Sequence, residues 1–254
     1  AVRQLEKMAD RYRATGDPAL AACAVNWLQS FAGSNLLLGH VSGNQSAYVQ
    51  GWMLGAVAVS WLTIRSAANL APESEVIVPS WLAKVADSNI GYYADHNDKK
   101  DGRNNHRYWA GFAVMAAGIA ADRRDLFDWG LESFRVGTRQ VTVDGFLPLE
   151  IDRRSRALHY HLFAAAPLVM TAELAAANDL DLYREEDTAL PRLITKAVSG
   201  IRNPLDFAAK ANAEQEEVKP DPGDIVWAIP FERRFPNAEL RAMLAAQKSR
   251  SILY

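Results

Sequence analysis

One period runs through this chain and limits what it can fold into. Apolar side chains recur every three to four residues in segment after segment, while alternation at every second residue is almost missing. Over Val2–Ala14 the apolar positions are Leu5, Met8, Ala9 and Tyr12. Thr15–Pro18 breaks that pattern: Gly16 suits a helix end, Asp17 a cap and Pro18 the first turn of the next helix. The same reasoning predicts helices from there to about Phe31, then over about Ala47–Asn69, Ser74–Ser88, Asn105–Ala121, Arg124–Val143, Ser155–Asn178, Arg184–Ile201, Asp224–Phe235 and Ala238–Gln247. His40–Ser46, Ala94–Asn104 and Ala213–Gly223 read as polar loops, and Phe146–Ile151 as a short extended piece. About nine or ten helices joined by short connections favour helical hairpins. At 254 residues they suit an all-α toroid of helix pairs better than a four-helix bundle. No fixed-period repeat points to a solenoid. A single domain over residues 1–254 is expected.

Charge and composition narrow the function. With 28 basic and 30 acidic residues the chain has no overall field that would attract nucleic acid. A local basic groove for an anionic ligand stays open. No run of ~20 apolar residues predicts a membrane span, and no leader pattern precedes the first helix. The single cysteine, Cys23, cannot form an internal disulfide and is expected to be a buried thiol. Phosphate-loop, dinucleotide, zinc-protease and serine-elbow patterns are all missing. His159 and His161 are two apart, so on a helix they point to different faces. No metal and no cofactor is expected.

Two stretches hold groups that bind an anion and move a proton. In Arg103–Trp109 (RNNHRYW), Asn104, Asn105 and His106 stand at a predicted loop-to-helix junction. They serve either as helix caps or as hydrogen-bond donors to an anion. Trp109, one turn on, fills core or stacks on a sugar. In Asp152–His161 (DRRSRALHYH), Arg153, Arg156 and Tyr160 fall at helical spacing, with His159 beside them and Phe163 continuing the stripe. That places cations and a phenol on one face. A solvated basic helix start is the plain alternative. Glu150 and Asp152 form a carboxylate pair of the kind glycoside hydrolases use. Their arginine neighbours favour salt bridges instead.

These stretches resemble the motifs of the alginate lyase family that includes the periplasmic mannuronate lyases. RNNHRYW is similar to its NNHxYW motif, and Arg153 precedes Tyr160 by the seven residues of its second motif. DLFDWGLESF, PLVMTAELAAANDLDLY and GDIVWAIPFERRF also agree, so the resemblance covers most of the chain. It implies an incomplete α/α toroid with a deep substrate groove and a periplasmic place of action. It makes Asn105, His106 and Arg153 neutralisers of a uronate carboxylate, and Tyr160 the acid and base. Gln50, Trp52 and, near the C-terminus, Arg250 would contact sugar. Two features depart from the family. Its basic, aromatic lid segment has no counterpart here, and Phe163 stands where the family commonly has tyrosine.

The chemistry implied is β-elimination in a 1,4-linked uronate polymer, by a monomer with an anionic polysaccharide as its only partner. Removing the C5 proton builds charge on the adjacent carboxylate, so donors aimed there stabilise the transition state. In mannuronate and glucuronate the C5 hydrogen and the C4 oxygen share a ring face, so one tyrosine can serve both. Polyglucuronate and hyaluronan therefore stand beside polymannuronate as substrates. Two other classes compete: a hydrolase using Glu150 or Asp152, and a binding protein that holds anionic polysaccharide without turnover.

Overall fold

A computed structural model describes residues 1–67, 70–219 and 225–246. Among these are twelve α-helices and no strand. The backbone groups into two compact units. One comprises residues 1–97 and 109–132, the other residues 98–108 and 133–254.

In the first unit α1 (Val2–Thr15), α2 (Pro18–Gly33), α3 (Asn44–Ile64) and α4 (Ser74–Ala94) pack in succession. The break between α1 and α2 forms as its residues dictate. Gly16 adopts φ 70 and bonds back to Tyr12, and the Asp17 carboxylate accepts from the Ala19 N–H at 2.9 Å. Leu5, Leu28, Leu54, Val57, Ile64 and Leu82 are wholly buried. Each such side chain contributes roughly 1.5–3 kcal/mol relative to exposure. Helix α3 is long and apolar enough to cross a membrane, yet 56% of its most apolar window is buried against other helices, which marks a core helix. Pro79 sits in the second turn of α4, where its missing N–H leaves the Glu75 carbonyl without its helical donor, yet α4 runs on to Ala94, past the predicted end. Cys23 is exposed, contrary to expectation, because α2 turns Ala21, Ala24, Val25 and Leu28 inward and leaves position 23 outside that stripe.

The chain enters the second unit at residue 98 and leaves it again within α5 (Asn105–Ala121), then returns within α6 (Arg124–Thr138). Helix α6 stops at Thr138, short of the predicted Val143. A turn follows, in which the Thr142 N–H donates to the Phe146 carbonyl at 2.9 Å and Gly145 takes φ 86. Phe146–Ile151 is not extended throughout. Pro148 starts a helical turn, α7 (Pro148–Ile151), preceded by Leu147 in extended geometry. Next come α8 (Ala157–Ala176) and α9 (Glu185–Arg202), which pack on each other, then α10 (Leu205–Ala211), α11 (Ala228–Arg234) and α12 (Ala238–Ala246). Phe207 on α10 is wholly buried against Phe146 and His161. Glu173 ties α11 to α8: it accepts from Tyr183 at 2.7 Å and from Arg234 at 2.6 Å.

Candidate active site

The predicted cap at the start of α5 is real. The Asn104 side-chain oxygen accepts from the His106 N–H at 3.0 Å. Asn105 is wholly buried and faces a second anchor, the wholly buried carboxylate of Glu150 on α7. One Glu150 oxygen accepts from the Asn105 backbone N–H at 2.8 Å. Both accept from the Asn105 side-chain nitrogen, at 2.9 and 3.0 Å. The Arg153 Nε lies 3.6 Å from Glu150, an ion pair just beyond hydrogen-bond reach. Burial, the largest influence, raises the Glu150 carboxyl above its ordinary value, with the Asn105 bonds and Arg153 opposing.

The single helical stripe predicted for Arg153, Arg156 and Tyr160 does not exist. Arg154 takes φ 59, Arg154–Arg156 form one 3-10 turn, and α8 begins only at Ala157. The break nevertheless brings both guanidiniums onto the phenol. The Arg153 Cζ lies 4.4 Å and the Arg156 Cζ 5.1 Å from the Tyr160 ring centroid. His159, exposed, lies edge-on to Tyr160 at 5.3 Å and stacks with Phe163 at 6.4 Å, and Phe163 meets Tyr160 edge-on at 6.3 Å. Burial first and the Arg153 charge second push His106 down to about 4, against the pull of Asp101. At neutral pH His106 is thus an uncharged imidazole, which offers hydrogen bonding rather than charge.

Three supports went unread in the sequence. His161, wholly buried, accepts the Leu147 N–H on Nε2 at 2.8 Å. Its Nδ1 therefore carries the proton and donates to the Ala157 carbonyl at 2.8 Å. This bridge ties the turn before Glu150 to the helix that bears Tyr160. Gln215 accepts from the Leu158 N–H at 3.0 Å and donates to the Arg154 carbonyl at 2.9 Å, while the Glu216 carboxylate lies 3.8 Å from Arg156. The third is Glu150 itself, expected as a salt-bridge partner of the arginines or a hydrolase carboxylate but not as the acceptor that holds Asn105. Its signal was its place three residues before Arg153. Asp152 does what was expected, pairing with Lys100 at 3.0 Å.

Asn105, His106, Arg153, Arg156, His159, Tyr160 and Phe163 all belong to the second unit. Gln50, Trp52 and Trp109 belong to the first. Gln50, expected to contact sugar, is 5% exposed, and its amide bonds Leu37, Ser88 and Asn89 within the core. Trp52 is half-buried, 6.5 Å from Tyr48, which itself stands 6.3 Å from Tyr92, and Tyr92 stacks on His96 at 4.0 Å. This row of flat rings can stack on apolar sugar faces. Trp109 is half-buried, edge-on to Phe112 at 6.3 Å. Arg250 lies outside the described residues. Among the described residues no group of three or more histidine, cysteine or carboxylate side chains forms a metal-binding cluster.

Known proteins resemble this chain throughout the region that holds these groups. The sequence model of the alginate lyase family matches residues 3–207. A polysaccharide lyase of Stenotrophomonas maltophilia (strain K279a) is 40% identical over 212 residues, 82% of this chain and 62% of that protein. An alginate lyase of Pseudomonas putida (strain F1) is 38% identical over 216 residues, 84% of this chain and 58% of that protein. The chain thus spans about three fifths of the length of these relatives. Alginate lyase A1-III from Sphingomonas species A1 superposes with a TM-score of 0.86 at 28% identity, over 94% of this chain and 70% of that one. A variant of the same enzyme complexed with a tetrasaccharide gives 0.89 at 26% identity, over 96% and 71%. Those structures have the α/α-toroid fold, and this chain, helical with no strand among its described residues, shares that fold class. With the motifs around His106 and Tyr160 inside the matched span, the chain belongs to the alginate lyase family.

Proposed function

We propose that the chain carries the catalytic centre of a polysaccharide lyase that cleaves 1,4-linked polymannuronate by β-elimination. The observation that carries this reading is the pair of guanidiniums flanking the Tyr160 ring, with Arg153 also beside the Glu150–Asn105 pair. Both guanidiniums bring positive charge to the face of the ring, and a guanidinium can bind a carboxylate through two parallel N–H groups. In this scheme Arg153, the His106 imidazole and the Asn105 amide neutralise the C5 carboxylate. Their effect is largest on the dianion formed as the proton leaves. Tyr160 takes the C5 proton and returns one to the C4 oxygen as the glycosidic bond breaks. The product is a 4,5-unsaturated uronate at the new non-reducing end. That economy requires both groups on one ring face, which selects mannuronate over its C5 epimer guluronate. A periplasmic location goes with this reading through the family resemblance.

The family relatives named alginate lyases support the substrate class. The burial of Glu150 and the ion pair of Asp152 argue against a hydrolase built on those two carboxylates. The decisive assay follows ultraviolet absorbance of unsaturated ends from mannuronate-rich alginate. Tyr160→Phe should lower the rate by roughly 10²–10⁴, the usual range for loss of a general acid–base group. A variant that keeps the parent rate sinks Tyr160 as the proton carrier. Reducing ends released without absorbance would mark a hydrolase. Stable binding with no cleavage would mark a binding protein.

A further inference from the structure

Arg153 reaches the Tyr160 ring across a break in the chain. In an unbroken helix it would stand two turns, roughly 10 Å, along the axis from Tyr160. The break is unfavourable by itself, because Arg154 takes φ 59, a left-handed conformation that a side chain resists. Neither piece of helix beside it carries its own support. The 3-10 turn Arg154–Arg156 and α8 both begin without a side-chain cap. The first N–H groups of a helix need an acceptor from somewhere. Here it comes from 57 residues further on, in the non-helical residues 214–219.

Gln215 caps α8 from outside that helix. Its Oε1 accepts the N–H of Leu158, the second residue of α8, at 3.0 Å, which is the bond a helix cap ordinarily makes. Its Nε2 donates to the carbonyl of the left-handed Arg154 at 2.9 Å and to that of Ala213 at 3.0 Å. Glu216 adds two bonds to the residue in between. Its backbone N–H donates to the Ser155 carbonyl at 2.8 Å, and its carboxylate accepts from the Ser155 hydroxyl at 2.9 Å. This segment is rooted in the core. It leaves α10 through Asn212, and α10 carries Phe207, wholly buried against His161 of α8. One amide thus grips both ends of the turn that separates Arg153 from Tyr160.

Resting on the lyase reading above, we propose that Gln215 is a positioning residue for the elimination: its amide holds the turn Arg154–Arg156 in the arrangement that brings Arg153 and Arg156 to the Tyr160 ring. Gln215 itself touches no reacting atom. The two bonds ask for an acceptor at Leu158 and a donor at Arg154, and an amide supplies both. Alanine supplies neither. Glutamate accepts at Leu158 but sets a second acceptor against the Arg154 carbonyl. Without the grip, nothing in residues 214–219 opposes the regular helix that the spacing from Arg153 to Tyr160 favours. The Arg153 guanidinium then moves away from the phenol. A misplacement of about 1 Å at reacting groups costs up to roughly 10²-fold in rate.

The test follows formation of unsaturated ends from mannuronate-rich alginate by the parent, Gln215→Ala and Gln215→Glu proteins, with Tm measured alongside. Both variants should lose roughly 10–100-fold in kcat with KM changed less, because alignment rather than binding is lost. A double-mutant cycle separates positioning from general support. In an Arg153→Ala or Arg156→Ala background, the same Gln215 change should cost far less, since the group it positions is already gone. Losses that multiply in full in both backgrounds overturn the proposal, as does a parent-like kcat in either folded variant. If Gln215→Ala does not fold, Gln215→Glu keeps the shape and the acceptor at Leu158, and its cycle decides. Loss of the fold in both variants also overturns the proposal, because it marks a residue that holds the fold rather than the site. A parent protein that forms no unsaturated ends from any uronate polymer ends the lyase reading, and the proposal with it. An active parent with Gln215 variants at full rate ends the proposal alone.

Discussion

At the scale of single residues, environment rather than identity decides what each side chain can do. His106 and His161 have the same ring, and both are pushed down to about 4, chiefly by burial. A neutral His106 cannot supply a charge, so its proposed role toward the carboxylate is hydrogen bonding. We expect the His106 imidazole to titrate near 4 in a histidine-resolved NMR titration, and no step in the lyase rate near 6.5 to arise from it. The stability consequence is clearest for His161. In the unfolded chain a histidine binds its proton below about 6.5. The folded state resists that proton down to about 4, so stability is lost as pH falls through this interval. Replacing His161 by Gln should shrink the acid-induced drop in Tm while lowering Tm at neutral pH by the equivalent of about 1–3 kcal/mol, the range for a buried partner left unpaired. The candidate proton carrier and neutralisers were legible at this scale, because RNNHRYW and the Arg153–Tyr160 spacing are specific. Glu150 was not legible as their anchor. A lone glutamate before arginines looks like surface charge until α7 turns it inward.

At the scale of elements, the informative places are the breaks. Periodicity placed most helices to within a few residues, since each buries one stripe. It missed the interruption at Arg154, where a left-handed residue splits what reads as one helix. A left-handed residue with a side chain carries roughly 1–2 kcal/mol of strain. Arg154→Gly should therefore leave Tm unchanged or raise it slightly, whereas Arg154→Val should lower stability by about 1–2 kcal/mol, measured by urea unfolding. If Val is as stable as Gly, the turn is not held left-handed. Gly145 is the stricter case. It combines φ 86 with a site where a Cβ would stand 2.8 Å from the Arg192 carbonyl oxygen and from the Lys196 Cβ. Gly145→Ala should cost about 2–4 kcal/mol, from strain plus the backbone shift that relieves the clash. The same urea series would show it.

At the scale of the whole molecule, the chemistry proposed involves only side chains. Incubation with a chelator should leave lyase activity intact. Loss that added divalent cation restores would require a different scheme. A panel of mannuronate-rich and guluronate-rich alginate, polyglucuronate and hyaluronan should place mannuronate first, and faster guluronate cleavage would overturn the one-face argument. The panel reaches beyond alginate because the 40% identical relative is named only as a polysaccharide lyase. By itself the sequence determined the helical class, nearly every element, and the two motifs proposed to carry the chemistry. These are local properties, written in the spacing of apolar residues and in short runs of unusual composition. Only the tertiary structure decided that Gln50 is core, that Cys23 is exposed, and that Arg153 and Arg156 meet at Tyr160 across a broken helix. It also decided that Glu150 lies buried under Asn105. Each of these depends on which segments distant in the chain pack together, and hydrophobic spacing does not encode which face of one helix meets which turn of another.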